Sequence, residues 1–264
     1  GEMRFTGDID AVPEGTPIFP AEPIVRVKTS VAEAQLMETS LANIINHQTL
    51  IATKAARVME AAGDTEVMEF GLRRAQGPDA GLYGSRAAFI GGCHSTSNVL
   101  AGQLYGIPVK GTHAHSWVMS FPDELTAFQA YADAYPNACL LLVDTYDTLR
   151  SGVPNAIRVA KELEARGGKF LGIRLDSGDL AYLSKVSRKM LDEAGLEHAT
   201  IVASGDLDED TIRDLRMQGA KIDSWGVGTK LITGDNNPAL GGVYKLAALE
   251  ENGHLIPKIK VSEN

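Results

Sequence analysis

Phe170-Leu171-Gly172-Ile173-Arg174-Leu175-Asp176-Ser177-Gly178-Asp179-Leu180 is the stretch on which the fold turns. A short, largely apolar run with the length of a strand passes into polar Asp-Ser-Gly-Asp, and a helical pattern begins at once. The unit returns downstream, where Thr200-Ile201-Val202-Ala203 is followed by Ser204-Gly205-Asp206-Leu207 and another helix-like segment. A strand that ends in small and acidic residues and then enters a helix is the βα step of a parallel sheet.

Outward from there the alternation continues. Further strands are expected at 67–70, 108–110, 140–143 and 222–227, and helices at 95–105, 123–134, 155–166, 179–194 and 208–218. So many βα units imply a barrel or a doubly wound sheet, and periodicity does not separate the two. Before them, Met37, Leu41, Ile44, Ile45, Ile51, Ala55, Val58, Met59 and Ala62 recur at mostly three- and four-residue steps, which predicts one long helix over 31–62. Ser30 and Glu33 offer a capping box at its start, and Gly63 a left-handed stop. Its Asn43, Asn46, His47 and Gln48 read as a polar face. Residues 7–28 are broken by Gly7, Pro13, Gly15, Pro17, Pro20 and Pro23 into short strands and turns. Near the end, two apolar runs flank Glu250-Glu251-Asn252-Gly253, a hairpin pattern expected to rejoin that N-terminal β region. The expected domains are therefore 1–30 and 242–264 as one discontinuous small β domain, with an α/β domain over 31–241.

Composition narrows the function. With 264 residues and 44% hydrophobic content, a large core is available. The net charge of −9 argues against a general nucleic-acid binder, which needs clustered Lys and Arg. No apolar run is long enough to span a bilayer, and no basic-then-apolar signal opens the sequence. Cys93 and Cys139 are too few for a disulfide framework, so a reducing cytoplasm is expected. The first and last residues read as those of a partial chain.

Chemistry gathers beyond the carboxyl ends of strands in parallel α/β folds. There the sequence places Asp144, Asp176, Ser204 with Gly205, and Gly226-Val227-Gly228-Thr229. The carboxylates suit ribose hydroxyls or Mg²⁺ held against a pyrophosphate, and the small residues let phosphate approach backbone N–H groups. Asp176 can instead pair with Arg174, and Asp179 and Asp206 read as helix caps. Arg73-Arg74 can grip a carboxylate or phosphate. Lys110-Gly111-Thr112-His113-Ala114-His115-Ser116-Trp117 crowds imidazoles, hydroxyls and a cation together, which suits proton transfer, phosphate chemistry or metal binding. A zinc set of His94, His113 and His115 lacks recognised spacing, so no protein metal site is expected.

Glu69-Phe70-Gly71-Leu72-Arg73-Arg74, Gly91-Gly92-Cys93-His94-Ser95, the Gly111-Thr112-x-x-His115-Ser116 segment, Asp144-Thr145-Tyr146-Asp147 and Arg174-Leu175-Asp176-Ser177-Gly178 stand in an order that resembles the nicotinate phosphoribosyltransferases. The resemblance implies an irregular, incomplete α/β barrel. It implies a glycosyltransferase of NAD biosynthesis that joins nicotinate to phosphoribosyl pyrophosphate with Mg²⁺, coupled to ATP hydrolysis, in a homodimer. It makes His115 the phosphorylated histidine, with His113 at a position that varies. It also puts Arg73, Arg74, Thr112, Ser116, Asp144, Arg174, Asp176, Ser204, Gly205, Gly226, Gly228 and Thr229 near substrate. Lys110, Arg73 and Arg174 are the expected cations around a phosphohistidine. An extended segment would turn His113 and His115 to one face, so geometry alone leaves either imidazole open. A related nicotinamide or quinolinate enzyme, or a partial non-catalytic module that binds ribose phosphates, are the other readings.

Overall fold

Residues 4–261 are described in the computed structural model. Contacts divide the chain into two units, one drawn from Gly1–His47 and Ala239–Asn264, the other Gln48–Pro238. The boundary thus falls at 47/48 within the long helix, whereas the sequence places it at 30/31. The outermost residues of the expected β domain, 1–3 and 262–264, lie outside the described residues.

In the first unit, strands β1 (Asp8–Ala11) and β2 (Val25–Lys28) pair antiparallel. Helix α1 (Val31–Ala62) follows, and its later part belongs to the second unit. The Glu33 N–H lies 3.4 Å from the Ser30 hydroxyl, so half of the capping box is present. The other half is not: the Glu33 carboxylate accepts the Thr6 and Thr29 hydroxyls, which compete successfully for it. Gly63 ends α1 at φ +63°, in the left-handed region expected of it.

The second unit is built on strands whose side chains are buried on both faces, as a parallel sheet requires. These are β3 (Glu66–Glu69), β4 (Ser95–Thr96), β5 (Cys139–Leu142), β6 (Phe170–Leu175), β7 (Thr200–Ala203) and β8 (Ser224–Val227). They form one parallel sheet in the order β4-β3-β8-β7-β6-β5. Helices α2 (Pro78–Ile90), α3 (Val99–Tyr105), α4 (His115–Met119), α5 (Glu124–Ala134), α6 (Val153–Ala165), α7 (Leu180–Glu193), α8 (Glu209–Met217) and α9 (Thr229–Thr233) connect them. Trp225, Phe128, Phe170, Leu141, Ile173 and Ile201 are fully buried between sheet and helices. The fold is an incomplete α/β barrel, and its opening lies between β4 and β5, the two edge strands.

The expected helix over 95–105 is instead strand β4 and then α3. Asn98 separates them by accepting the Ala101 N–H in its side chain, a cap that starts α3. The expected strand at 108–110 is reduced to a single bridge, Val109 beside Thr96. From that bridge the chain crosses the barrel opening, and His113 Nε2 accepts the free-edge N–H of Leu142 on β5 at 3.2 Å. A side chain thereby occupies the edge that another strand would pair.

Beyond the second unit, β9 (Ala248–Glu251) and β10 (His254–Pro257) form the expected hairpin. It is a two-stranded sheet of its own, separate from the β1–β2 pair.

Candidate functional site

Arg174 lies on β6 and Asp176 is the residue just after its end, two positions on, and their side chains meet on one side. The Arg174 side chain is only 17% exposed, and each of its three nitrogens donates one hydrogen bond. Nε donates to Ser204 Oγ at 2.7 Å, Nη1 to Thr112 Oγ1 at 2.9 Å and Nη2 to Asp176 Oδ1 at 2.6 Å. Its flat face lies 5.6 Å from the centre of the Phe70 ring. The competing account of Arg174 as partner of Asp176 is thus realised, and one cation ties β6 to the residue after β7 and to the loop that carries Thr112. Ser204 also donates to Asp176 Oδ1 at 2.5 Å. Partial burial works against a charged Asp176, but the Ser204 hydroxyl and the Arg174 charge outweigh it and hold the carboxyl below the ordinary aspartate range.

Asp144 follows β5, its side chain 2% exposed. Oδ2 accepts the Asp176 N–H at 2.9 Å and the Ser177 hydroxyl at 2.6 Å, while Oδ1 is buried without a hydrogen-bond partner. The unpartnered oxygen lies 3.9 Å from His115 Nε2, and Asp176 Oδ2 lies 3.5 Å from the same nitrogen. His115 Nδ1 is 3.0 Å from Thr145 Oγ1. His115 is the first residue of α4, with its side chain 37% exposed.

His113 is elsewhere. The expected extended segment stops at Ala114, where α4 begins, so the two imidazoles do not share a face. His113 is buried, 4.7 Å from the Tyr131 ring and 6.0 Å from Phe128. Nε2 accepts from Leu142, which leaves the proton on Nδ1, 3.4 Å from the Ala114 carbonyl. Burial, with Arg174 and His115 adding to it, pushes its pKa down to about 4. His94 serves another strand, its Nδ1 accepting the Val67 N–H at 3.2 Å.

Of the sequence candidates, Thr112, His115, Asp144, Arg174, Asp176 and Ser204 meet in this cluster. Gly205 and Gly226 adjoin it for a packing reason. At Gly205, φ +95°, a Cβ would strike the Asp176 carbonyl, and at Gly226 it would lie 2.6 Å from the Phe70 ring. Gly228 and Thr229 follow at the start of α9. Ser116 is exposed on α4, and its hydroxyl makes no hydrogen bond among the described residues. Arg73 and Arg74 lie exposed in a 3-10 turn, Leu72–Arg74, just after Phe70, and neither makes an ion pair among the described residues. Lys110 is drawn away to Glu66 at 2.5 Å. Asp179 caps α7, as expected. Asp206 does not cap α8; Asp208 accepts the Thr211 N–H instead, and Asp206 holds φ +46°. Sequence reasoning passed over Phe70, Thr145 and Ser177, though each adjoins a strand end already singled out.

The chain is similar to proteins of known sequence and structure. Its sequence is 61% identical over 251 residues to a nicotinate phosphoribosyltransferase of Bacillus subtilis (strain 168), covering 95% of this chain and 51% of that protein. It is 37% identical over 310 residues to the Homo sapiens nicotinate phosphoribosyltransferase, covering 97% and 57%. The crystal structure of the human enzyme superposes with a TM-score of 0.80 at 36% identity, over 85% of this chain and 56% of that one. The chain spans about half the length of the curated relatives it matches. Residues 65–261, more than half of the sequence, match the nicotinate phosphoribosyltransferase (NAPRTase) family, and the chain belongs to that family.

Proposed function

We propose that the protein carrying this chain joins nicotinate to phosphoribosyl pyrophosphate, giving nicotinate mononucleotide and pyrophosphate, and couples this to ATP hydrolysis through a phosphohistidine at His115. The observation that carries the reading is the meeting of one half-exposed imidazole with two strand-end carboxylates beside the Arg174–Thr112–Ser204 group. The carboxylates favour the proton on Nε2, which leaves the Nδ1 lone pair toward Thr145 as the nucleophile. Nδ1 takes the γ-phosphoryl group of ATP as ADP leaves, and water later breaks the P–N bond to release phosphate. In the glycosyl step the pyridine nitrogen attacks C1 of the ribose as pyrophosphate departs. Positioning and charge stabilisation do most of the work there.

Arg73 and Arg74, with no competing carboxylate among the described residues, are the groups we assign to anionic substrate. Ser116, Ser204, Gly205, Gly226, Gly228 and Thr229 are assigned to its phosphates and ribose. Asp144 and Asp176 suit Mg²⁺ held mainly by pyrophosphate oxygens, since Asp144 keeps a buried oxygen without a partner. Bound there, the ion would neutralise charge on the leaving group. We also infer a homodimer in a reducing cytoplasm. The buried free thiols of Cys93 and Cys139, each pushed up to about 12 by burial, suit such a compartment. Among the described residues no helix is long and apolar enough to cross a membrane.

Assays with nicotinate, nicotinamide and quinolinate, each with and without ATP, test the reading. Turnover of nicotinate, raised by ATP, is expected. A preference for either other base, or binding of phosphoribosyl pyrophosphate without turnover of any, would overturn it.

A further inference from the structure

Glu69, the last residue of β3, is fully buried, and no cation pairs with it among the described residues. Its carboxylate instead collects neutral donors. It accepts the Gly71 N–H, the Ser85 hydroxyl at 2.9 Å and the Thr96 hydroxyl at 2.6 Å. Thr96 Oγ1 in turn accepts the Asn98 N–H at 3.0 Å, and the Asn98 amide reaches Ser85 Oγ at 3.2 Å. One acid therefore joins β3, β4, α2 and the cap of α3. A buried carboxylate is costly unless its hydrogen bonds are complete, and removing one donor leaves that cost uncompensated.

What this network holds is the turn that carries Arg73 and Arg74. The Gly71 N–H is fixed by Glu69, and the Gly71 carbonyl accepts the Arg74 N–H at 2.8 Å. The other side of Gly71 is closed, because a Cβ there would lie 2.5 Å from Ile232 Cβ and 2.8 Å from the Gly228 carbonyl. The turn is thus set between a buried carboxylate and the β8–α9 connection, and the two arginines project from it without ion partners among the described residues.

We infer that Glu69 is a positioning residue for substrate, aiming Arg73 and Arg74 through the Gly71 turn without touching substrate itself. The inference rests on the reading of those arginines as anion ligands. Its test is a double-mutant cycle on the protein carrying this chain, with steady-state kinetics in nicotinate and in phosphoribosyl pyrophosphate. Glu69→Gln should raise the KM for an anionic substrate about tenfold, the loss of one charge-assisted contact, with kcat within about twofold. Combined with Arg73→Ala or Arg74→Ala, it should add little to the KM of the arginine variant that loses more, because both changes break one interaction. Thr96→Val should raise KM about threefold, and Thr96→Ser should restore it, since the hydroxyl returns. If Glu69→Gln does not fold, Thr96→Val takes its place in the cycle. An unchanged KM, or effects that multiply with those of both arginine variants, would overturn the inference. If neither arginine variant moves KM beyond about twofold, the assignment of the arginines fails first and the positioning role falls with it.

Discussion

The inward and outward sides of the 112–116 segment carry the same side chain in opposite settings. His113 faces in, onto Tyr131 and Phe128, and its ring spends one nitrogen on the Leu142 N–H at the barrel opening. His115 faces out, between Thr145 and two carboxylates. One imidazole is kept neutral and closes an edge, and the other keeps access to solvent and to acids. Residue type therefore does not decide the role here; the point at which α4 begins does, because the helix at His115 turns it off the face that His113 occupies.

The largest effect expected from disturbing the outward side is at Arg174. Arg174→Ala removes the guanidinium that joins Thr112, Ser204 and Asp176, so at least two charge-assisted bonds are lost, about 3 kcal/mol or more, or on the order of a hundredfold in kcat/KM. Melting should also drop, since the group is mostly buried. Kinetics within about tenfold of wild type would show that the cluster does not depend on it.

The inward side is broken most directly by acid. Well above pH 6.5 the His113 ring is neutral whether the chain is folded or not. Between there and about pH 4 the unfolded chain takes up a proton that the buried ring refuses, so stability falls as pH falls, and below about 4 the loss levels off. The difference amounts to about 3 kcal/mol. His113→Phe should lose that share of the pH dependence in denaturant titrations, and should cost about 1–3 kcal/mol at neutral pH by leaving the Leu142 N–H unpaired. Parallel pH curves for wild type and variant would place His113 in a solvated setting.

A smaller effect sharpens the contrast. Thr145→Val removes one hydrogen bond to His115 Nδ1, about 0.5–1.5 kcal/mol, and should slow phosphorylation by roughly tenfold at most while leaving the acid stability curve unchanged.

Much of the barrel was legible in the sequence. The runs 170–175 and 200–203 are strands over those residues, because each is largely apolar and is closed by small or acidic residues. Helix α2 was not legible: Gly81 and Gly84 weaken its helical signal, yet both are buried in it, Gly81 against Leu72 of the 3-10 turn. In the site, the strand-end rule located Asp144, Asp176 and Ser204. It could not say that Arg174 also bonds Ser204 and Thr112, since that depends on a guanidinium reaching across to the end of β7 and to the 112 segment. Nor could period-two reasoning separate His113 from His115, because five-residue α4 is too short to announce itself.

On the function proposed above, His115 and not His113 takes the phosphoryl group. Incubation with γ-labelled ATP, followed by acid and alkaline treatment, tests it on wild type, His113→Asn and His115→Asn. An acid-labile, base-stable label is expected on the wild type and on folded His113→Asn, and none on His115→Asn. Label that persists on His115→Asn, or that vanishes from folded His113→Asn alone, would contradict the account.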